Sequence, residues 1–195
     1  MTVSWQFTKQ LFPKDFFRSA RVKTLLLLRH AKSAWGDSRL SDHERPLSRR
    51  GESAAEVMAD HIVHKGLRPD VIVCSTAIRT RQTLAPLVHR LTAPAPPILL
   101  EKGLYLASEA ALLARLQDVP EEAGTVLLIG HNDGIWHLAE LLAGRGRSGL
   151  LSALHGKFPT GALAILRAPI ERWADLAAGS AELLAYVRPK DLVPS

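Results

Sequence analysis

The chain has 195 residues, enough for one domain with a real core, and its 47% apolar and 23% charged content is that of an ordinary globular protein. A net charge of +6 favours an anionic partner, but no dense Lys/Arg run with interleaved aromatics points to nucleic acid. A single cysteine, Cys74, excludes an intrachain disulfide and a cysteine-based zinc cluster and suits a reducing, cytoplasmic setting; no apolar run approaches the length of a membrane span and no signal peptide is read at the N-terminus.

Residues 1–20 hold four of the five Phe, with Trp5, and read as an arm or short helix from Pro13 packing on the body; a membrane-surface or dimer contact is the other reading. Residues 21–195 read as one domain. Thr24-Leu-Leu-Leu-Leu28 is a continuous apolar run, the mark of a strand buried on both faces, and it runs into Arg29-His30. Residues 31–47 form a polar loop, whose Asp37, Asp42 and Glu44 read first as solvated charges and second as substrate-selecting groups. Ser48 caps a helix with Ala55, Met58, Ala59 and Ile62 at helical spacing, ended by Gly66.

Asp70-Val-Ile-Val-Cys74 is a second buried strand, followed by a helix over about 77–91 in which Pro86 predicts a kink or an early end. A proline-rich loop leads to Ile98-Leu-Leu100, and Ser108 caps a helix to Gln117. Thr125-Val-Leu-Leu-Ile129 is the third strong strand; it meets Gly130-His131, where Gly allows a sharp turn into a helix reaching Gly144. Residues 144–160 read as a glycine-rich basic stretch, Ala162–Leu166 as a strand and Glu182–Val187 as a last one. Strand and helix alternate, so the expected fold is α/β, a three-layer αβα sandwich with a central, mostly parallel sheet.

In such sheets ligands bind beyond the carboxyl ends of the strands. Three strands here end in reactive residues: Arg29-His30, Ser75 to Arg79, and His131. Singly each is weak: an Arg-His pair after a strand is common on surfaces, and Arg79 on a first helical turn could be solvated. Together they suit phosphoryl chemistry. Guanidinium forks match phosphate oxygens, a neutral imidazole can attack phosphorus, and a second imidazole can support the developing charge. No metal or cofactor is required. A Cys-based phosphatase fails on spacing, because its C-x5-R loop would need Arg at position 80, where Thr80 stands. His61 and His64 read as a solvated helix face rather than metal ligands, and no Walker or dinucleotide motif occurs.

The same residues carry a family resemblance. Leu27-Leu-Arg-His-Ala-Lys-Ser33 resembles the Arg-His-Gly signature of the histidine phosphatase, or phosphoglycerate mutase-like, superfamily. Arg45-Pro-Leu-Ser-Arg-Arg-Gly51, Cys74-Ser-Thr-Ala-Ile-Arg-Thr-Arg-Gln-Thr83 and Leu128-Ile-Gly-His131 resemble its next three blocks, in order, over roughly residues 23–190. Arg-His-Ala-Lys-Ser-Ala-Trp35, Leu104-Tyr-Leu-Ala-Ser108 and Pro159-Thr-Gly-Ala162 look like the small phosphohistidine phosphatase branch, which also has Ala where Ala31 stands.

The resemblance implies a metal-independent phosphatase with His30 as nucleophile, Arg29 and Arg79 binding the phosphoryl group and His131 supporting it. Glu101 falls where many members carry the general acid; a surface Glu is the plainer reading, and Asp133 is a rival whose own plainer reading is a helix N-cap. Ser33, Trp35 and Ser75 are candidate pocket residues, although Ser75 could simply cap the Arg79 helix. The expected partner is a phosphorylated substrate, such as a phosphohistidine protein, with no nucleic acid and no membrane. A phosphoglycerate-type mutase and a catalytically inactive phosphoprotein-binding module are the alternatives; the short segment after Arg79 and the intact His30 argue against them in turn.

Overall fold

A computed structural model describes residues 22–36 and 38–192; the expected N-terminal arm lies outside them. The chain alternates strands and helices: β1 (Lys23–Arg29), α1 (Arg49–His64), β2 (Val71–Ser75), α2 (Ile78–Arg90), β3 (Ile98–Glu101), α3 (Glu109–Gln117), β4 (Thr125–Gly130), α4 (Gly134–Leu142), β5 (Ala143–Gly146), α5 (Ser148–Gly156), β6 (Leu163–Ala168) and β7 (Ala181–Val187). The strands form one seven-stranded sheet in the order β3-β2-β4-β1-β6-β7-β5. Pairs β1/β4, β2/β4, β2/β3 and β5/β7 are parallel. Only β6 runs against its neighbours.

The apolar runs explain the layering. In β1, Leu25 and Leu27 join one core, with α3, α4 and α5 residues such as Leu116, Leu138 and Leu154. Leu26 and Leu28 join the other, with Met58 and Ile62 of α1 and Leu84 and Leu87 of α2. Successive side chains of a strand face opposite sides, so a central strand must be apolar at every position. These four leucines are at most 2% exposed, and each contributes roughly 1.5–3 kcal/mol through burial.

Two caps form as the sequence predicts: the Ser48 hydroxyl accepts from the Gly51 N–H, and the Ser108 hydroxyl from the Ala111 N–H. Three details differ. α2 continues through Pro86 to Arg90, forgoing only the hydrogen bond that the proline nitrogen cannot make. The stretch 144–160 is structured, containing part of β5 and all of α5. At the turn from β4 into α4 the tighter glycine is Gly134, where a Cβ would lie 1.9 Å from the carbonyl oxygen of Ala107 in the segment before α3, whereas a Cβ at Gly130 would meet the Ile135 side chain of α4 at 3.2 Å. Among the described residues no helix is long and apolar enough to cross a membrane.

Candidate active site

The carboxyl ends of β1, β2 and β4 deliver Arg29-His30, Ser75 and His131 to one place, and the first turn of α2 adds Arg79. All but Arg29 are deeply buried: His30 is 7% exposed, Ser75 0%, Arg79 3% and His131 2%. The His30 and His131 ring centroids lie 5.2 Å apart. Arg79 stands between them. Its Nε donates to His30 Nε2 (3.3 Å) and its Nη2 to His131 Nδ1 (3.3 Å).

These contacts fix both tautomers. His30 Nδ1 donates to the Ala31 carbonyl oxygen (2.7 Å), so Nε2 carries the lone pair. His131 accepts at Nδ1, so its Nε2 donates to the Ser75 hydroxyl (2.9 Å). Burial, with the nearby Arg79 and Arg29 cations, pushes His30 down to about 4. Burial, then His30 and Arg79, pushes His131 down to about 3. Both imidazoles are therefore neutral at pH 7.

The sequence blocks have concrete tasks. The Gln82 side-chain oxygen accepts from the Leu47 N–H (2.7 Å), joining α2 to the Arg45-Pro-Leu segment. The Thr83 hydroxyl accepts from the Ala31 N–H (2.9 Å) and donates to the Arg79 carbonyl (2.6 Å), so one side chain couples the loop after His30 to the helix holding Arg79. The methyl group of Ala31 is fully buried against Leu47 and Ala55, which accounts for a side chain at a position where glycine is usual in the wider superfamily.

Arg29 Nη1 and Asn132 Nδ2 both donate to the Phe158 carbonyl (2.6 and 3.2 Å), while the buried Arg29 Nε has no hydrogen-bond partner among the described residues. Ser33 is occupied elsewhere: its hydroxyl accepts from Arg45 Nη2 (2.9 Å), and Arg45 stacks on Trp35, 3.4 Å from the ring centroid. Ser75 serves His131; its contact with the Ala77 N–H is long (3.4 Å), and Ala77 holds the cap position of α2.

Glu101 does not join the cluster. Its carboxylate is clasped by Arg115 of α3, with Nε to both oxygens (2.9 Å) and Nη2 to Oε1 (2.8 Å). Asp133 occupies the N-cap position of α4 with no side-chain capping bond. Cys74 is buried and its thiol is pushed up to about 12, which leaves no thiolate for chemistry.

The residue that sequence reasoning underrated is Asp42. Rather than a solvated charge, its carboxylate accepts from Arg79 Nη2 (2.9 Å), Tyr105 OH (2.7 Å) and Arg45 Nη1 (2.7 Å), and its carbonyl accepts from Arg79 Nη1. The Tyr105 bond, then Arg79 and Arg45, hold it at about 2. Tyr105 packs edge-on to His131, with centroids 5.3 Å apart, and closes that side of the site. The only signal available was Tyr105, inside the Leu104–Ser108 segment that resembles the family; Asp42 lies in the polar loop between two such segments.

Comparison with known proteins agrees with this geometry. Residues 25–104 match the family model of the histidine phosphatase superfamily (branch 1). An uncharacterized Mycobacterium tuberculosis protein is 34% identical over 165 residues, covering 84% of this chain and all of the relative. A Nakamurella multipartitia structure, provisionally named phosphohistidine phosphatase SixA, superposes with a TM-score of 0.75 at 33% identity, covering 86% of this chain and 96% of that one. An Agrobacterium tumefaciens structure, also provisionally named for SixA, gives 0.72 at 30% identity, covering 86% and 98%. The chain belongs to the histidine phosphatase superfamily and is a phosphatase.

Proposed function

We propose that the enzyme hydrolyses phosphohistidine on proteins, through a phosphoryl intermediate on His30. The observation that carries this reading is the clasp on His30: Nδ1–H is tied to the Ala31 carbonyl, and Nε2, with its lone pair, faces Arg79 and His131.

In the first step the Nε2 lone pair attacks phosphorus. The bond from phosphorus to the leaving atom breaks, and that atom keeps the electron pair and takes a proton. In the second step water attacks phosphorus, the P–Nε2 bond breaks, and inorganic phosphate leaves with His30 neutral again. Arg79 and Arg29, whose Nε is unpartnered among the described residues, supply guanidinium N–H groups for the phosphoryl oxygens. The incoming dianion competes with Asp42 for Arg79, and it raises the proton affinity of His131, whose Nδ1 then donates to a phosphoryl oxygen.

The acid–base equipment favours a labile leaving group. Asp42, the carboxylate bonded to Arg79, is held ionised, and Glu101 is engaged by Arg115. A phosphomonoester whose alkoxide leaves needs a strong proton donor. A phosphohistidine does not, because its imidazole leaving group can be protonated before the P–N bond breaks. The Nakamurella and Agrobacterium relatives carry names of the same activity.

The test is a substrate panel without added metal: a phosphohistidine peptide, a phosphoserine peptide, sugar phosphates and nucleotides. The reading expects the highest kcat/KM on phosphohistidine, inhibition by orthovanadate and no turnover by His30→Ala. A higher kcat/KM on a phosphomonoester would replace the substrate assignment; full activity of His30→Ala would remove the mechanism.

A further inference from the structure

A second cavity, of about 370 Å³, is lined by the start of α1 and by the segments that follow β1, precede β6 and follow β7. Five cationic side chains line it, namely Lys32, Arg50, Lys157, Arg188 and Lys190, and no carboxylate does. Arg188 is matched by Asp191, with Nε 2.8 Å from Oδ2. Lys32, Arg50 and Lys157 make no ion pair among the described residues.

The fold puts this cavity beside the active site. β1 and β7 run in the same direction, so the segments leaving them, Lys32 and Arg188–Lys190, emerge at the same end of the sheet. The turn from Lys157 to Thr160 enters antiparallel β6 at that end, and α1 starts there. His30 sits at the end of β1, between the phosphoryl cluster over β2 and β4 and the cationic cavity over β6 and β7. The walls are tied down. The Lys32 carbonyl accepts from the Ser48 N–H (2.9 Å), the His30 carbonyl accepts from the Gly161 N–H (3.0 Å), and the Lys157 carbonyl accepts from Tyr186 OH. The cavity is thus a fixed cleft bearing unmatched positive charge, next to the attacking imidazole.

From this we infer that the cationic cleft is a docking surface for acidic side chains flanking the phosphorylated residue of a protein substrate. The inference rests on the phosphoprotein reading and deepens it: the enzyme would select phosphohistidines set in acidic surroundings. A small phosphate ester engages only the cluster around Arg79. An extended substrate reaches both sites, and the second provides long-range attraction that falls with salt.

The experiment uses the full chain and two readouts. The first is fluorescence anisotropy of labelled, unphosphorylated peptides: one with glutamates around a histidine, one with glutamines, and an oligonucleotide of the same net charge as the acidic peptide. The second is turnover of an aryl phosphate and of the phosphohistidine forms of both peptides. Wild type should bind the acidic peptide best. Arg50→Glu with Lys157→Glu should weaken that binding by about tenfold at low salt and leave aryl phosphate turnover unchanged. Equal binding of acidic and neutral peptides, equal binding by the double variant, or tighter binding of the oligonucleotide would each overturn the inference. If the acidic peptide binds as expected while neither phosphohistidine form is hydrolysed, the docking surface stands and the substrate assignment fails. If both forms are hydrolysed equally by wild type and variant, the assignment stands and the surface fails.

Discussion

Holding His30 neutral inside the fold has a cost that appears in acid. In the unfolded chain a histidine titrates near 6.5; in the native protein His30 titrates at about 4. The folded-state value is lowered, so nothing is lost above pH 6.5, and stability falls as pH drops from 6.5 towards 4, where the unfolded chain takes up protons that the native site refuses. At pH 4.5 the unfolded imidazole is about 99% protonated and native His30 about one quarter. The difference costs the fold about 2.5 kcal/mol relative to pH 7.5. For a domain of this size that is roughly 5–10 °C in Tm. Asp42 does not blur the window: its lowered value of about 2 gives stability that is lost only as pH falls below its ordinary 3.8. The assay is the Tm of wild type and His30→Asn, by circular dichroism, at pH 7.5 and pH 4.5. The wild-type fall between the two should exceed that of His30→Asn by roughly 5–10 °C. Equal falls would show that His30 is not desolvated as the geometry requires.

Three further predictions concern its surroundings. Glu101→Gln should keep kcat on phosphohistidine within about threefold of wild type, since the carboxylate is engaged by Arg115; loss of a general acid would cost about 10²–10⁴-fold. Asp42→Ala frees Arg79 from an ion pair that is half exposed and worth about 1 kcal/mol, so orthovanadate should inhibit it at about fivefold lower concentration; weaker inhibition would make Asp42 an aid to anion binding rather than a competitor. Gly51→Ala would set a Cβ 2.0 Å from the Lys32 carbonyl oxygen and force α1 away from the loop after His30. It should lower stability by about 1–3 kcal/mol in urea unfolding, and an unchanged midpoint would contradict that packing.

What the sequence made legible, and what it hid, has physical causes. β1, β2 and β4 announce themselves because a strand covered on both faces must be apolar throughout. Ser48 and Ser108 announce α1 and α3 because a helix start needs an acceptor. His30, Arg79 and His131 could be grouped because each follows a strand. β5 and α5 were not legible: β5 is a four-residue edge strand of Ala143, Gly144, Arg145 and Gly146, with nothing apolar enough to mark a face. The fates of Glu101 and Asp42 depend on distant partners, Arg115 fourteen residues on and Arg79 thirty-seven residues on. Neither pairing leaves a local pattern. Its spacing from Arg79 singled out Glu101 along the chain, and tertiary contact with Arg115 gave its carboxylate another use. The loop carrying Asp42 reads as solvent-exposed because its charge pattern resembles that of any polar loop.

The central claim is a covalent phosphoryl group on His30 Nε2, and the most direct measurement is to trap it. Wild type and His30→Asn are mixed briefly with a radiolabelled phosphohistidine peptide, quenched in base and mapped by mass spectrometry. The account predicts an acid-labile, base-stable phosphoramidate on His30 in wild type and no labelled enzyme in His30→Asn. Label on another residue, or equal label in both proteins, would contradict it.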